Sequence, residues 1–231
     1  MPIISTEDNY LTVLNLFTTD TPAHQDQLLT EMGKIVDAAA YEGWISSTVH
    51  AGQDSPGTAN LIQWRSGEDL QKRYSGEEFK HRTLPVFREI TTAIRLLQNE
   101  IVFTQTHPSL EGRIEVSPER DDYTAIEVYR VGEENQADLI KLLGEGQSWL
   151  VEVPGYRSHC VFKGLRAMFV EGAFAVVYSQ WDSKDSYDAF RDLPHARKSE
   201  ARRANDERIA ELSVERDANT YRVVHTRAAG Q

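Results

Sequence analysis

Apolar residues along this chain switch between a period of two and a period of about 3.6, and the pattern of switches occurs twice. Residues 10–19 are rich in β-branched and aromatic types and read as a strand. After Asp20-Thr21-Pro22, residues 23–40 carry Leu28, Leu29, Met32, Ile35, Val36 and Ala39, the stripe of an amphipathic helix. Gly43 is placed as the glycine that ends it. Residues 44–51 and 58–64 read as strands on either side of the turn signal Gln53-Asp54-Ser55-Pro56-Gly57. Residues 66–74 suggest a short helix. Residues 83–97 show Val86, Phe87, Ile90, Ala93, Ile94 and Leu97 at helical spacing, with Pro85 tolerated in the first turn. Residues 101–107 form a fourth strand. The order is β-α-β-β-α-β, that of a ferredoxin-like unit.

The same order follows from Tyr123. Strands are predicted at 123–131, 156–163, 173–181 and 221–226, with helices at 135–151, 185–191 and 194–214. The last of these is polar, its apolar residues thinning to Ala204, Ile209 and Leu212, as expected of a helix that packs lightly or covers a wet cleft. Residues 228–231 read as a loose tail. Gln63-Trp64-Arg65-Ser66 and Gln180-Trp181-Asp182-Ser183, half the chain apart, close equivalent strands. Glu42-Gly43-Trp44 matches Pro154-Gly155-Tyr156 in the same way. The predicted organisation is a first repeat over 1–107, a linker over 108–122 and a second repeat over 123–231. A four-stranded sheet with helices on one face must cover its other face. Two fused copies supply that cover to each other, so the fold class expected is α+β, with two ferredoxin-like repeats closing into an intramolecular α/β barrel.

Composition narrows the function classes. A net charge of −11 over 231 residues argues against nucleic acid or an anionic membrane as partner. No apolar run approaches the roughly 20 residues that span a bilayer. The N-terminus lacks the basic and apolar regions of a signal peptide, and the lone Cys160 offers neither a disulfide nor a metal pair, so a cytoplasmic protein is expected. Cys160 itself reads as a small core residue.

Candidate chemistry begins on the third strand. Residues two apart share a strand face, so Asn60, Ile62 and Trp64 point one way, with Asn60 and Trp64 about 13 Å apart. A polar amide and an indole on one face suit a mostly apolar pocket with a few placed polar groups. His81 and His195 occupy similar places after the short helices, where either could act as a base near neutral pH.

Asn60-Leu61-Ile62-Gln63-Trp64, together with the glycine–aromatic turns, resembles the N-x-x-Q-W strand of the antibiotic biosynthesis monooxygenase family. The small quinone-forming oxygenases of aromatic polyketide pathways within that family resemble it most, and the likeness covers each half nearly end to end. The resemblance implies that Asn60 and Trp64 are a substrate-activating pair, with an arginine on the following helix. Arg82 or Arg88 could fill that role in the first copy, with Arg82 preferred, and Arg197 or Arg202 in the second. The family places a tyrosine six residues after the tryptophan. Leu70 stands there in the first copy, with Tyr74 one helical turn on, and Tyr187 stands there in the second, where Val177 replaces the asparagine. Tyr74, His81, Trp181, Tyr187 and His195 are accordingly the candidate substrate contacts.

The implied activity is cofactor-independent oxidation of a phenolic or anthrone-type aromatic to a quinone by O₂. The partners are then a small aromatic substrate and O₂, with no cofactor and no metal. A homodimer of the fused pair is left open. Two other readings use the same barrel: an aromatic-ligand-binding or cyclase-like protein, and a haem-handling protein whose axial ligand could only be His81 or His195.

Overall fold

The computed structural model describes residues 1–168 and 171–230. Two strand–helix alternations run along it. The first comprises β1 (Ile3–Ile4), β2 (Leu11–Thr18), α1 (Pro22–Asp37), β3 (Trp44–Gly52), β4 (Gly57–Trp64), α2 (Gly67–Ser75), a π-helical turn (Phe79–Thr83), α3 (Leu84–Ile90) and β5 (Ala93–Thr106). The second comprises β6 (Ile114–Glu115), β7 (Tyr123–Val131), α4 (Gln136–Leu143), β8 (Tyr156–Met168), β9 (Ala173–Trp181), α5 (Lys184–Arg191), α6 (Glu200–Leu212) and β10 (Ser213–Ala228).

Local signals start and stop these elements. Thr21 caps α1, its Oγ1 accepting the His24 amide at 3.2 Å. Ser66 and Ser183, the last residues of the repeated tetrapeptide, cap α2 and α5 by accepting the amides of Asp69 and Ser186, both at 3.2 Å. Gly43 and Gly155 both lie in the left-handed region, with φ of 75° and 79°. A Cβ on Gly43 would meet Asp69 at 2.3 Å, and one on Gly155 would meet Ser186 at 2.3 Å. Gly43 is therefore the turn into β3; α1 has already ended, at Asp37.

Eight strands close a barrel in the order β10-β3-β4-β2-β5-β8-β9-β7, every neighbour antiparallel. Each repeat contributes a four-stranded sheet, and the final strand of each crosses to the other. β5 pairs with both β2 and β8, and β10 with both β7 and β3. This closure explains where element boundaries depart from the sequence expectation. β5 runs for 14 residues and β10 for 16, because each must serve two sheets. The helix expected over 83–97 ends at Ile90, and Ala93, Ile94 and Leu97 belong to β5. The helix expected from 194 to 214 is a 3₁₀ turn at His195–Arg197 followed by α6, and β10 starts eight residues earlier than its apolar stretch suggested. The helix expected over 135–151 breaks after Leu143 and continues as 3₁₀ turns over Glu145–Glu152. The expected loose tail is strand as far as Ala228, which pairs with Ser46, and Ala229 donates to the Ile45 carbonyl at 2.8 Å; Gln231 lies outside the described residues.

Alternation along the strands divides the apolar residues into layers. Leu14, Leu16, Leu61, Ile126, Val176 and Tyr178 fill the barrel, with Cys160 among them. The opposite faces carry Phe17 and Val49 beneath α1 and α3, and Tyr129 and Val177 beneath α4 and α6. One barrel end is closed by β1 paired with β6, from the segment expected as linker; Ile4, Ile114 and Val116 are buried there. The tetrapeptide glutamines hold this cap in matching ways. Gln63 accepts from Ser46 at 2.7 Å and donates to the Ile3 carbonyl at 2.8 Å. Gln180 accepts from Ser158 at 2.7 Å and donates to the Glu115 carbonyl at 2.9 Å.

Inside the barrel, His50 Nδ1 lies 3.2 Å from the Ala59 carbonyl and Nε2 lies 2.9 Å from the Tyr178 hydroxyl. A carbonyl only accepts, so Nδ1 carries the proton and Nε2 accepts from Tyr178. Burial pushes His50 down to about 4, and the same cause brings buried His159 to about 4. Both are neutral in the folded state at pH 6, whereas the unfolded chain takes up protons near pH 6.5. Stability is therefore full above pH 6.5 and falls as pH drops towards 4, by about 3 kcal/mol for each histidine at pH 4. Urea unfolding at pH 7.5, 6, 5 and 4 should show this loss. His50→Gln should flatten the pH dependence by roughly half, leaving the share of His159.

Candidate functional site

A cavity lies between each sheet and its helices, and the two differ in size and chemistry. The first measures about 70 Å³. Its floor is the outward face of β2 and β4, where Asn15 stands directly opposite Asn60 in the register. Asn60, Ile62 and Trp64 all line it, as their shared strand face required. Trp64 ends the strand, opposite Leu11 on one side and Trp44 on the other. The roof is Met32 and Val36 of α1, Leu70, Arg73 and Tyr74 of α2, Phe79 and Thr83 of the π-turn, and Phe87 of α3.

Polar groups in this cavity are few, and two of them are unsatisfied. The Tyr74 hydroxyl donates to Asn15 Oδ1 at 3.4 Å. Trp44 Nε1 donates to Ser47 at 2.9 Å. Trp64 Nε1 and Asn60 Oδ1, by contrast, are buried without a hydrogen-bond partner. The Trp64 ring stacks on Tyr41 with centroids 6.4 Å apart. Arg73 holds its guanidinium 4.3 Å above the Tyr41 ring and 5.5 Å from Phe79, and it donates to Thr83 at 3.3 Å. Burial pushes Tyr74 up to about 12, with its bond to Asn15 and the nearby Arg73 pulling the other way, so it remains a protonated donor at neutral pH.

The second cavity measures about 420 Å³ and is charged. Glu127 stands opposite Val177 on its floor, the places held by Asn15 and Asn60 in the first repeat. Glu127 Oε2 accepts from Arg216 Nε at 2.9 Å and from the Tyr129 hydroxyl. The coulombic pull of Glu127 raises the Arg216 pKa, and burial raises that of Tyr129. Trp181 and Tyr187 are both buried in the wall; Trp181 stacks on Phe190 at 4.8 Å and donates from Nε1 to Ser179 at 3.1 Å. The polar helix expected to pack lightly or cover a wet cleft borders this charged cavity: α6 supplies Arg202, Asp206 and Ile209 to the lining.

The structure thus brings Asn60, Trp64 and Tyr74 together in one cavity, and Trp181 with Tyr187 in the other. It places the other three candidates outside both. Arg82 is exposed on the outer side of the π-turn, and Arg73, nine residues before it on α2, supplies the guanidinium instead. His81 is 70% exposed and lies 3.3 Å from Glu77. His195 is 66% exposed and lies 3.6 Å from Glu207. Neither histidine faces an apolar pocket that could hold a haem or a reacting ring. The sequence reading missed Arg73, Tyr41, Asn15, Glu127 and His159. Asn15 was detectable as the one amide within the otherwise apolar run Val13-Leu14-Asn15-Leu16-Phe17.

Among the described residues, no helix is long and apolar enough to cross a membrane. The model of the antibiotic biosynthesis monooxygenase family matches residues 122–202, within the second repeat. No curated protein matches the chain. Among solved structures, an anthrone oxidase-like protein is 60% identical, with all of this chain aligned to 98% of that one at a TM-score of 0.97. A candidate monooxygenase from Fusobacterium nucleatum shares 10% identity over 96% of both chains at a TM-score of 0.61. Another from Lactobacillus acidophilus shares 9% over 96% of this chain and 97% of its own at 0.58. These last two share the fold. With a full-length relative at 60% identity and the family pattern on its second repeat, the chain belongs to the antibiotic biosynthesis monooxygenase family.

Proposed function

We propose that the protein is a cytoplasmic monooxygenase that oxidises a phenolic or anthrone-type aromatic to a quinone with O₂ and no added cofactor, in the cavity of the first repeat. The observation that carries this reading is the pair of buried, unpartnered atoms, Asn60 Oδ1 and Trp64 Nε1, at the edge of a mostly apolar cavity. Folded proteins leave few such atoms without partners. One is an acceptor and the other a donor. A ring system carrying both a hydroxyl and a carbonyl satisfies the two together. The 60% identity to an anthrone oxidase-like protein supports the same substrate class.

In this scheme the substrate loses a proton to water and becomes an electron-rich carbanion able to reduce O₂ directly. The ring CH₂ loses two hydrogens and gains one oxygen atom as C=O; the other oxygen atom leaves as water. Trp64 Nε1–H stabilises the developing oxyanion, Asn60 orients the hydroxyl, and the apolar roof excludes bulk water. The cavity of about 70 Å³ is smaller than a fused three-ring substrate, so entry displaces the roof, whose π-turn at Phe79–Thr83 is the irregular point in its helices.

One observation favours the alternative, a non-catalytic or cyclase-like protein that binds an aromatic ligand. Among the described residues lining this cavity there is no carboxylate and no imidazole to act as a base. Oxygen uptake with an anthrone distinguishes the two. Asn60→Ala removes the group that orients the hydroxyl and should lower kcat by about 10- to 1,000-fold, since a misplacement of about 1 Å can cost roughly 100-fold, with much smaller change in KM. Unchanged turnover in that variant removes Asn60 from the chemistry, and no O₂ consumption with any anthrone or naphthol favours the binding protein.

Affinity for a neutral anthrone should also be asymmetric. The second cavity must desolvate its charges to accept an uncharged ring, whereas the first is apolar. Fluorescence titration should therefore show a larger loss of affinity in Trp64→Ala than in Trp181→Ala. Equal losses would mean that no single cavity dominates.

A further inference from the structure

We infer that the second cavity is a separate binding site for a hydroxylated aromatic carboxylate, a different ligand class from that of the first. This inference does not depend on the protein being an oxygenase. It rests on two buried side chains whose polar atoms lack partners, one cationic and one imidazole, in a cavity about six times larger than the first.

The cation is Arg202. Its side chain is 8% exposed, and its guanidinium is clamped 4.3 Å from the Phe190 ring and 5.3 Å from the Trp149 ring. It donates once, to the Phe190 carbonyl at 2.9 Å, and its Nε has no hydrogen-bond partner. The nearest carboxylate, Asp206, stands 3.7 Å away and is hydrogen-bonded by Lys198 at 2.8 Å. The other charges of the lining are taken up. Glu127 is held by Arg216, and Arg191 by Asp54 at 2.7 Å and Asp188 at 2.8 Å. Arg202 is therefore a buried cation with hydrogen-bonding capacity to spare, already rigid between two rings. A ligand carboxylate beside it gains a charge-assisted bond without ordering a flexible side chain.

The imidazole is His159. It is fully buried, its Nδ1 lies 2.9 Å from the Tyr156 hydroxyl, and its Nε2 has no hydrogen-bond partner. A phenolic hydroxyl both donates and accepts, so it can pair with Nε2 in either tautomer. Trp181, Tyr187 and Phe190 supply aromatic walls for the rings. The first cavity carries one cation, Arg73, and no carboxylate or imidazole: its counterparts of Glu127 and His159 are Asn15 and Ser47.

Equilibrium titration of the whole protein with 3-hydroxy-2-naphthoate and with 2-naphthol tests the inference. The naphthoate should bind at least tenfold more tightly than the naphthol. Arg202→Gln should cost the naphthoate tenfold or more and the naphthol less than twofold, so naphthol binding also reports that the variant is folded. Arg202→Lys keeps the charge and should restore part of the loss; it serves as the test if Arg202→Gln does not fold. Asn60→Ala should leave naphthoate affinity unchanged. Equal affinities for the two probes, no selective loss in Arg202→Gln, or loss of naphthoate binding in Asn60→Ala would each overturn the inference.

Discussion

Every barrel strand in this molecule has two neighbours, and only the crossing of β5 and β10 between repeats makes that so. Without the crossing, each repeat would present an open four-stranded sheet, with unpaired edges and an apolar face exposed to water. With it, the edges vanish and the two apolar faces become one barrel interior around Leu14, Leu61, Ile126 and Val176. The functional geometry follows. Once the inner faces are committed to the barrel, the outer faces are left to the helices, and each repeat forms a cavity between its sheet and its helices.

The repeated Gln-Trp-x-Ser tetrapeptide shows how much of this was legible beforehand. The duplication, the element order and the barrel could be argued from periodicity and spacing, because alternation and helical stripes are local. The tetrapeptide announced the repeat but not the division of labour within it. The glutamine holds the β1–β6 cap over the barrel end, the tryptophan enters the cavity wall, and the serine caps the next helix. The serine's cap is local, three residues along, but the carbonyls that the glutamines reach lie 60 and 65 residues away, so no local rule reveals them. The errors have the same origin. Ala93 and Leu97 fit a helical stripe after Ile90 by coincidence of spacing, and barrel closure, a non-local demand, claims them for β5. Residues 213–220 are too polar to read as strand, but their backbone pairs with β7 all the same. Arg82 looked correctly placed until the π-turn carried it outward and left Arg73 over Tyr41.

The two cavities illustrate how duplication separates chemistries while the frame stays constant. Strand register, glycine turn, bulge and helix cap recur in both repeats. What changes is the facing pair on the floor: Asn15 with Asn60 in one, Glu127 with Val177 in the other. A buried carboxylate needs a cation, and Glu127 has Arg216 on β10. Charged walls in turn retain space for water, which fits a cavity of about 420 Å³ beneath a polar α6 and one of about 70 Å³ beneath apolar α1 and α3. The polarity of one strand position thus propagates into the volume above it.

Unsatisfied polar atoms alone do not mark a site in this fold. Thr12 Oγ1 and Thr124 Oγ1 are equally without partners, and both share the strand face of the barrel interior with Leu14 and Ile126. Asn60 Oδ1 and Trp64 Nε1 differ in where they face: both border a cavity whose roof is helix, an element that can shift without breaking the strand ladder. Leaving a buried polar group unpaired costs roughly 1–3 kcal/mol, a large share of a stability of about 5–15 kcal/mol. On the floor of a cavity, that cost is removed whenever a ligand with a matching donor and acceptor enters. Under the proposed function, the same atoms that weaken the empty protein strengthen the complex, and the difference between the two states is the selectivity for a ring that carries both a hydroxyl and a carbonyl.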